Sequence, residues 1–509
     1  MRKILLIAFL ATAVLSCKKD AVKPSTQTPA DDLAINALPT VVLKASHNPG
    51  KLTADVNCTF KGSEVSALVP TIDNNKTFVV DFTTGVPNAV VTVNGVVQQS
   101  GVTAVDFTNP VTYTVSVNGI NRKYKFTLKN FTGIPVLYLN TSGPIVSKDD
   151  YVTGTLVVNT NGLYEQPKNN IALQAKGRGN STWTVPKKPY RLKFDSKAEL
   201  LGMPAAKNWV LLANYADRTL IRTSLAFEMG RKIGAHFTPQ TRFVELVLNG
   251  THLGSYVLTS QVEIHENRVN IAELKETDET GDAITGGYLL EVDFRLDAPL
   301  WFRTKKNLPF TLKDPDELTD AQFAYIKDYI QQTEDAIFAD NFADPVNGYA
   351  KYINVDSFIN WYLIEELGLN IDSKDQSSVY YYKDRNGKLG MGPLWDFDIS
   401  FGNTWLPGNI WYTKGGLWFK RLFQDPAFVK KVRTKWALVK SREKDIYKRI
   451  DEMALYMNLS QQKNFEIWPL LKPDGLPLQS RGDYNGEVAY AKEWIGKRIL
   501  WLDANFAAL

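Results

Sequence analysis

The sequence predicts an α+β protein in which a small all-β region precedes a larger mixed domain. Three observations lead there. Short runs of alternating apolar and polar residues, broken by Asn-Gly pairs, fill the stretch after residue 37. Strand-like runs continue to about Phe310, and apolar positions then switch to helical spacing. Strands followed by helices in one large unit are the α+β order. With 509 residues, 44% apolar, 12% aromatic and 22% charged, the chain has an ordinary globular composition and room for more than one domain, which excludes fibrous and disordered classes.

The elements follow in chain order. Met1-Arg2-Lys3 gives a basic start and residues 4–15 an apolar run. A membrane-spanning helix needs about 20 apolar residues, so this run suits the hydrophobic region of a signal peptide instead. Ala13-Val14-Leu15-Ser16-Cys17 resembles a bacterial lipobox. The resemblance implies cleavage before Cys17, lipidation of that residue, and a membrane-anchored lipoprotein outside the cytoplasmic membrane, at the cell surface or in the periplasm. Residues 1–17 are thus expected to be a lipoprotein signal peptide. Residues 18–36, rich in Lys, Pro, Ser, Thr, Ala and Asp, read as a flexible tether. Cys58 is then left without a partner, as a small buried apolar residue.

Residues 37–130 carry runs such as Thr77-Phe78-Val79-Val80-Asp81-Phe82, and two hairpin signals, Asn94-Gly95 and Asn118-Gly119. This pattern predicts a β-sandwich and resembles the Ig-like modules of bacterial surface lipoproteins. It contains no acid pair or polar cluster, so a spacer is expected. Residues 135–509 form the second domain, with helices expected at 319–340, 354–368, 429–457 and 487–506.

Charge and metal-ligand counts narrow the chemistry. Lys and Arg number 59 against 54 Asp and Glu, a net +5, so no nucleic-acid partner held by a large basic surface is expected. Two cysteines and four scattered histidines (His47, His236, His252, His265) exclude a Cys/His zinc cluster read from spacing. Carboxylates, lysines, hydroxyls and backbone groups must carry any reaction.

Two segments concentrate such groups. Lys176-Gly177-Arg178-Gly179-Asn180-Ser181-Thr182-Trp183 combines two glycines, which let the backbone turn tightly and expose N–H groups to an anion, with a following strand whose Arg191 and Lys193 share a face. A phosphate fits there. The second segment, Asn370-Ile371-Asp372-Ser373-Lys374-Asp375-Gln376-Ser377-Ser378, follows a helix and leads to Trp395-Asp396-Phe397-Asp398. If extended, that stretch points Asp396 and Asp398 the same way, toward a shared divalent cation, with Trp395, Phe397 and Ile399 facing the core.

Gly177-Arg178-Gly179-Asn180-Ser181-Thr182-Trp183 with Lys187-Lys188-Pro189-Tyr190-Arg191-Leu192-Lys193 resembles the signature of the CotH family, the spore coat protein H-like proteins. So do Asn214-Tyr215-Ala216-Asp217-Arg218-Thr219, Leu248-Asn249-Gly250, Gly254-Ser255-Tyr256-Val257-Leu258-Thr259, Gly287-Tyr288-Leu289-Leu290-Glu291 and Trp395-Asp396-Phe397-Asp398, in family order. The resemblance implies an atypical kinase-like fold and transfer of phosphate from ATP to protein Ser/Thr with Mg or Mn. Phosphoryl transfer needs a loop over the phosphates, a cation, metal-binding acids and a base. On that reading the loop at Gly177, Arg178, Gly179, Asn180 and Ser181 covers ATP, and Lys193 or Lys188 reaches its phosphates with Glu228 as the lysine's partner. A hinge near Ser260–Val262 takes the adenine. Asp372 is the base, with Asp375 competing for that role, and Asp396 with Asp398 holds the metal. A non-catalytic surface adhesion or assembly protein on the same scaffold is the alternative. A glycan-active protein is a third, with Asp396 and Asp398 as a carboxylate pair.

Overall fold

A computed structural model describes residues 37–472 and 480–509. The signal peptide, Cys17 and the tether lie outside the described residues.

Residues 37–130 are all-β, with a six-stranded sheet, a three-stranded sheet and a two-stranded ribbon. Asn94, Gly95, Asn118 and Gly119 all have positive φ. That is the type I′ geometry whose twist matches the strands on either side, and Asn and Gly reach it at low cost. Alternation then points Val65, Val91, Tyr113, Val115 and Phe126 into one core. Cys58 is a free thiol that burial pushes up to about 12, leaving it protonated and unreactive at neutral pH.

This region does not hang on a loose linker. The Asn161 amide donates to the carbonyls of Asn130 (3.2 Å) and Ile134 (2.6 Å), while its oxygen accepts from Lys76 Nζ (3.1 Å). Tyr138 Oη donates to the Ile72 carbonyl at 2.6 Å. Buried polar groups satisfied in this way fix one arrangement, so the expected spacer is docked against the second domain.

The second domain opens with a closed barrel of β1 (Val136–Thr141), β2 (Val152–Asn159), β3 (Asn170–Gly177), β4 (Tyr190–Leu200), β5 (Met203–Leu212), β6 (Thr241–Leu248) and β7 (Thr251–Ser260). The strands run in the order β1-β2-β3-β4-β5-β7-β6, and the parallel β1–β6 pair closes the ring. Leu139, Leu173, Leu192, Phe194, Trp209 and Leu258 fill the interior. Helix α1 (Arg222–Ile233) crosses between β5 and β6.

A second, antiparallel sheet takes β8 (Tyr288–Val292), β9 (Trp301–Arg303) and β10 (Pro309–Asp314) before helices α2 (Asp320–Phe338) and α3 (Val355–Gly368), then β11 (Val379–Lys383) and β12 (Leu389–Met391) after them. Strand β11 returns to pair with β8, so the strands-then-helices order expected from sequence holds only in outline. From Ser357 onward helix α3 is buried on all sides. The Asn354 side chain caps its start by accepting from Ser357 N at 3.1 Å, and a left-handed Leu369 ends it. The chain finishes with α4 (Leu417–Leu422), α5 (Pro426–Lys440), α6 (Glu443–Tyr456), α7 (Asn458–Ile467) and α8 (Tyr484–Ala507). The single helix expected over 429–457 is two, broken at Ser441.

Lys187 joins the barrel to α7. Its buried ammonium donates to the Ser255 carbonyl and to Asn464 Oδ1 (2.7 Å), and it lies 4.6 Å from the Tyr256 ring centre. Burial pushes Lys187 down to about 7, while the charge of Glu245 acts in the opposite direction. Between about pH 7 and the unfolded value near 10.4, the unfolded chain holds one more proton than the folded one. Stability therefore rises with pH across that window, by up to about 1.4 kcal/mol per unit, and the gain is lost as pH falls toward 7. Lys187→Met removes this increment. Urea titrations at pH 7.5 and 9.5 are expected to show a larger gain for wild type, by about 2 kcal/mol; equal gains would refute the assignment.

Candidate functional site

The site is built where the barrel meets the second sheet and the end of α3. Between β3 and β4 the chain makes a tight loop with one helical turn, Ser181–Thr184. A Cβ on Gly177 would fall 2.4 Å from the Trp183 ring, and Gly179 has φ +82°. Both positions therefore need glycine, one for close approach and one for backbone conformation. The loop roofs a cleft of about 560 Å³ lined by Gly177, Arg178, Gly179, Asn180, Ser181, Arg191, Glu291, Arg295, Asp372, Ser378, Asp396 and Asp398, among others.

The two segments singled out in the sequence thus meet in one cleft, although about 200 residues separate them. Asp372 reaches it because left-handed Leu369 turns the chain at the end of α3. Asp396 and Asp398 reach it by a route other than the one expected. The segment is not extended: Asp396 itself has φ +62°, a conformation Asp tolerates better than most residues. Trp395 lines the cleft, with the Arg178 guanidinium 5.6 Å from its ring centre.

Lys188, Lys193 and Glu228 are not among the residues lining the cleft. Lys188 Nζ donates to the Trp183 carbonyl at 2.6 Å and braces the loop from outside. Lys193 is exposed beside Lys176, both over the Tyr151 ring. It stands two residues beyond Arg191 on the same face of β4, roughly 7 Å further from the loop, so Arg191 holds the cleft position. Glu228 faces away on α1, where it accepts from Arg449 (2.7 Å) and Lys232 (3.1 Å). Asp375 is also outside the cleft lining and accepts from Leu417 N at 2.7 Å, at the start of α4. At the hinge, Gln261 lines the cleft while Ser260 lines a separate pocket beside Trp209.

The charges are strongly perturbed. Burial, then the neighbouring Asp396, pushes Asp372 up to about 7, and Arg295 opposes the rise. Burial raises Asp396 as well, against the pull of Arg178, Ser378 and Arg295. Asp398 is raised well above the carboxylate range by burial and by Asp396, Asp372 and Asp217. Three crowded, desolvated carboxyls lack sufficient positive charge from the chain.

One residue that the sequence reading passed over ties the acid-bearing loops together. Buried Asn370 donates to Glu365 Oε2 (2.9 Å) and to the Asp396 carbonyl (3.0 Å), and its oxygen accepts from Asp372 N (3.3 Å). Its place two residues before Asp372 was the available signal. Asn370→Ala leaves the Glu365 carboxyl and the Asp396 carbonyl without this donor, and thermal or urea unfolding is expected to show a loss of about 1–3 kcal/mol. A loss under about 0.5 kcal/mol, the range of an ordinary surface change, would contradict the role. Glu291, on β8, lines the same cleft. It is buried, accepts from Ser378 N (2.8 Å) and pairs with Lys313 (2.9 Å).

A barrel joined to an α+β body, with a glycine loop facing acids across the cleft, fits the kinase-like class of architecture. The family described as CotH kinase protein matches residues 175–502, and the chain belongs to the CotH family. No curated protein matches it. Among solved structures, a crystal structure of a candidate glycoside hydrolase from Bacteroides thetaiotaomicron shares 16% identity over 36% of this chain, at a TM-score of 0.15. The match spans 53% of that protein, and at such a score it carries no structural argument.

Proposed function

We propose that this protein is a divalent-metal-dependent kinase that transfers the γ-phosphoryl group of ATP to a Ser or Thr hydroxyl of a protein. The observation that carries the reading is the meeting of the glycine loop with Asp372, Asp396 and Asp398 in one cleft. Arg178 and Arg191 replace Lys193 and Lys188 as the cations for the phosphates. Arg191 Nε is buried without a hydrogen-bond partner, and Arg191 is cross-strand from Lys176, a like-charge pair that an anion would relieve.

Asp396 and Asp398 would hold the metal. Among the described residues no group of three or more His, Cys, Asp or Glu is placed to bind one. Mg²⁺ nevertheless needs only one or two carboxylates beside substrate phosphates and water, and hard carboxylate oxygens suit Mg or Mn. When bound, the metal supplies positive charge against the phosphates. Asp372 takes the proton of the acceptor hydroxyl as its oxygen forms the new bond to the γ-phosphorus; the bond to the β-phosphate bridging oxygen breaks, and ADP leaves. Arg295 lines the cleft and favours the charged forms of Asp372 and Asp396 against burial, so it sits where it can neutralise the transferred group.

Incubation with labelled ATP and Mn²⁺ or Mg²⁺ tests the reading, which requires incorporation above that of Asp372→Asn. The absence of Lys188, Lys193 and Glu228 from the cleft favours a second reading, a non-catalytic surface scaffold. On that reading millimolar ATP with metal leaves the unfolding temperature unchanged.

The start of the chain supports export and lipid anchoring through Cys17, and no helix among the described residues is long and apolar enough to cross a membrane. Cells expressing the full chain should incorporate labelled palmitate into wild type and not into Cys17→Ala; label in both would reject the anchor.

A further inference from the structure

The chain carries a net charge of +5, and helix α5 alone holds five cations, Lys430, Lys431, Arg433, Lys435 and Lys440, with no Asp or Glu between Pro426 and Lys440. The remaining residues therefore sum to zero, and α5 is a stretch of unmixed positive charge. Two of the five are compensated, Lys431 by Asp356 (3.1 Å) and Lys440 by Asp503 (2.5 Å). Lys430, Arg433 and Lys435 have no ion pair among the described residues. Of the nearby titratable groups, Asp356 is already paired and Asp425 is buried as the cap of α5.

The surface around them is grooved. One recess of about 440 Å³ has Ile359 and Leu438 in its walls; another of about 450 Å³ has Phe423 and Val429. Lys430 and Thr434 line both and form the ridge between them. A cationic ridge between two partly apolar recesses matches an extended chain that sets acidic side chains on the ridge and apolar ones to either side. A nucleic acid duplex would find only three free cations, too few for more than weak binding. A bilayer favours a broad apolar surface that projects, whereas of Ile359, Phe423, Val429 and Leu438 only Leu438 is exposed.

Asp356 and Ile359 in the first recess belong to the start of α3, and Asp372 follows its end. At 1.5 Å per residue, α3 separates the two by about 20 Å. The surface is thus a different place from the cleft.

We propose that the α5 face docks an acidic, partly apolar segment of a partner protein. The test uses the full chain and a short fluorescein-labelled peptide of repeated Glu-Glu-Leu, followed by anisotropy at low and physiological salt. Binding that weakens with salt and falls at least about 10-fold in the Lys430→Glu, Arg433→Glu double variant is expected. The double variant Lys463→Glu, Lys497→Glu, at residues that line neither recess, should keep wild-type affinity. Equal loss in the two double variants, no loss in either, or binding to phosphatidylglycerol vesicles or duplex DNA without binding to the peptide would overturn the proposal. Because the readout is binding, it is independent of whether phosphoryl transfer occurs.

Discussion

Asp396→Ala is expected to lower phosphate transfer from labelled ATP by roughly 10³-fold or more, equivalent to about 4 kcal/mol of transition-state stabilisation. The same substitution should leave the metal-free protein at least as resistant to heat as wild type. The reason is the charge balance of the cleft. Asp396 is raised above the ordinary carboxylate range by burial, and its charge in turn raises Asp372 and Asp398. Removing it relieves two neighbours that resist ionisation, a gain set against the loss of the 3.3 Å bond from Ser378 and of the attraction to Arg178 and Arg295. Activity and stability then move in opposite directions, the pattern of a site kept for function at the expense of stability. Turnover within tenfold of wild type would remove Asp396 from the mechanism. A large loss of stability would recast it as a structural residue.

The largest stability effect is expected at Arg498. It pairs with Glu366 at 2.8 Å where both side chains are inaccessible to solvent. Arg498 also donates to the carbonyls of Glu366, Gly408 and Ile410, while the Glu366 carboxylate accepts from Tyr412 N (2.9 Å) and Lys414 N (2.8 Å). The pair thereby joins central α3, C-terminal α8 and the 408–414 loop. Arg498→Met strands a buried carboxylate and is expected to cost about 3–5 kcal/mol in denaturant unfolding. Many buried ion pairs can be replaced by two apolar residues without loss. Here Glu366→Leu with Arg498→Met should stay destabilised, because backbone donors and acceptors on both sides lose their partners. A double variant as stable as wild type would show that the pair acts as charge alone.

Local chemistry was legible along the chain. Asn94-Gly95 and Asn118-Gly119 gave hairpins because few other residues accept positive φ at two successive positions. The loop around Gly177 and Gly179 was visible because no side chain fits there, and α3 because its apolar residues recur at helical spacing. Arg178, Asp372, Asp396 and Asp398 could be named because residues of those types beside glycines and large apolar neighbours need a reason to be there. Which of the basic residues enters the cleft was not legible. Arg191 and Lys193 share one face of β4, and only the meeting of strand and loop decides that Arg191 lines the cleft and Lys193 lies beyond it. Glu228 was misplaced for the same reason: helical spacing puts it on α1, but the packing of α6 turns it to Arg449.

The sequence by itself determined the α+β class, the CotH family and the two segments that carry the site, since turn geometry, periodicity and glycine are properties of neighbouring residues. Tertiary structure alone decided the return of β11 to β8, the Asn370 bridge between the acid loops, the Glu366–Arg498 junction and the charge state of the cleft. Each depends on burial and on contacts between residues distant in the chain, and burial sets what a charge costs.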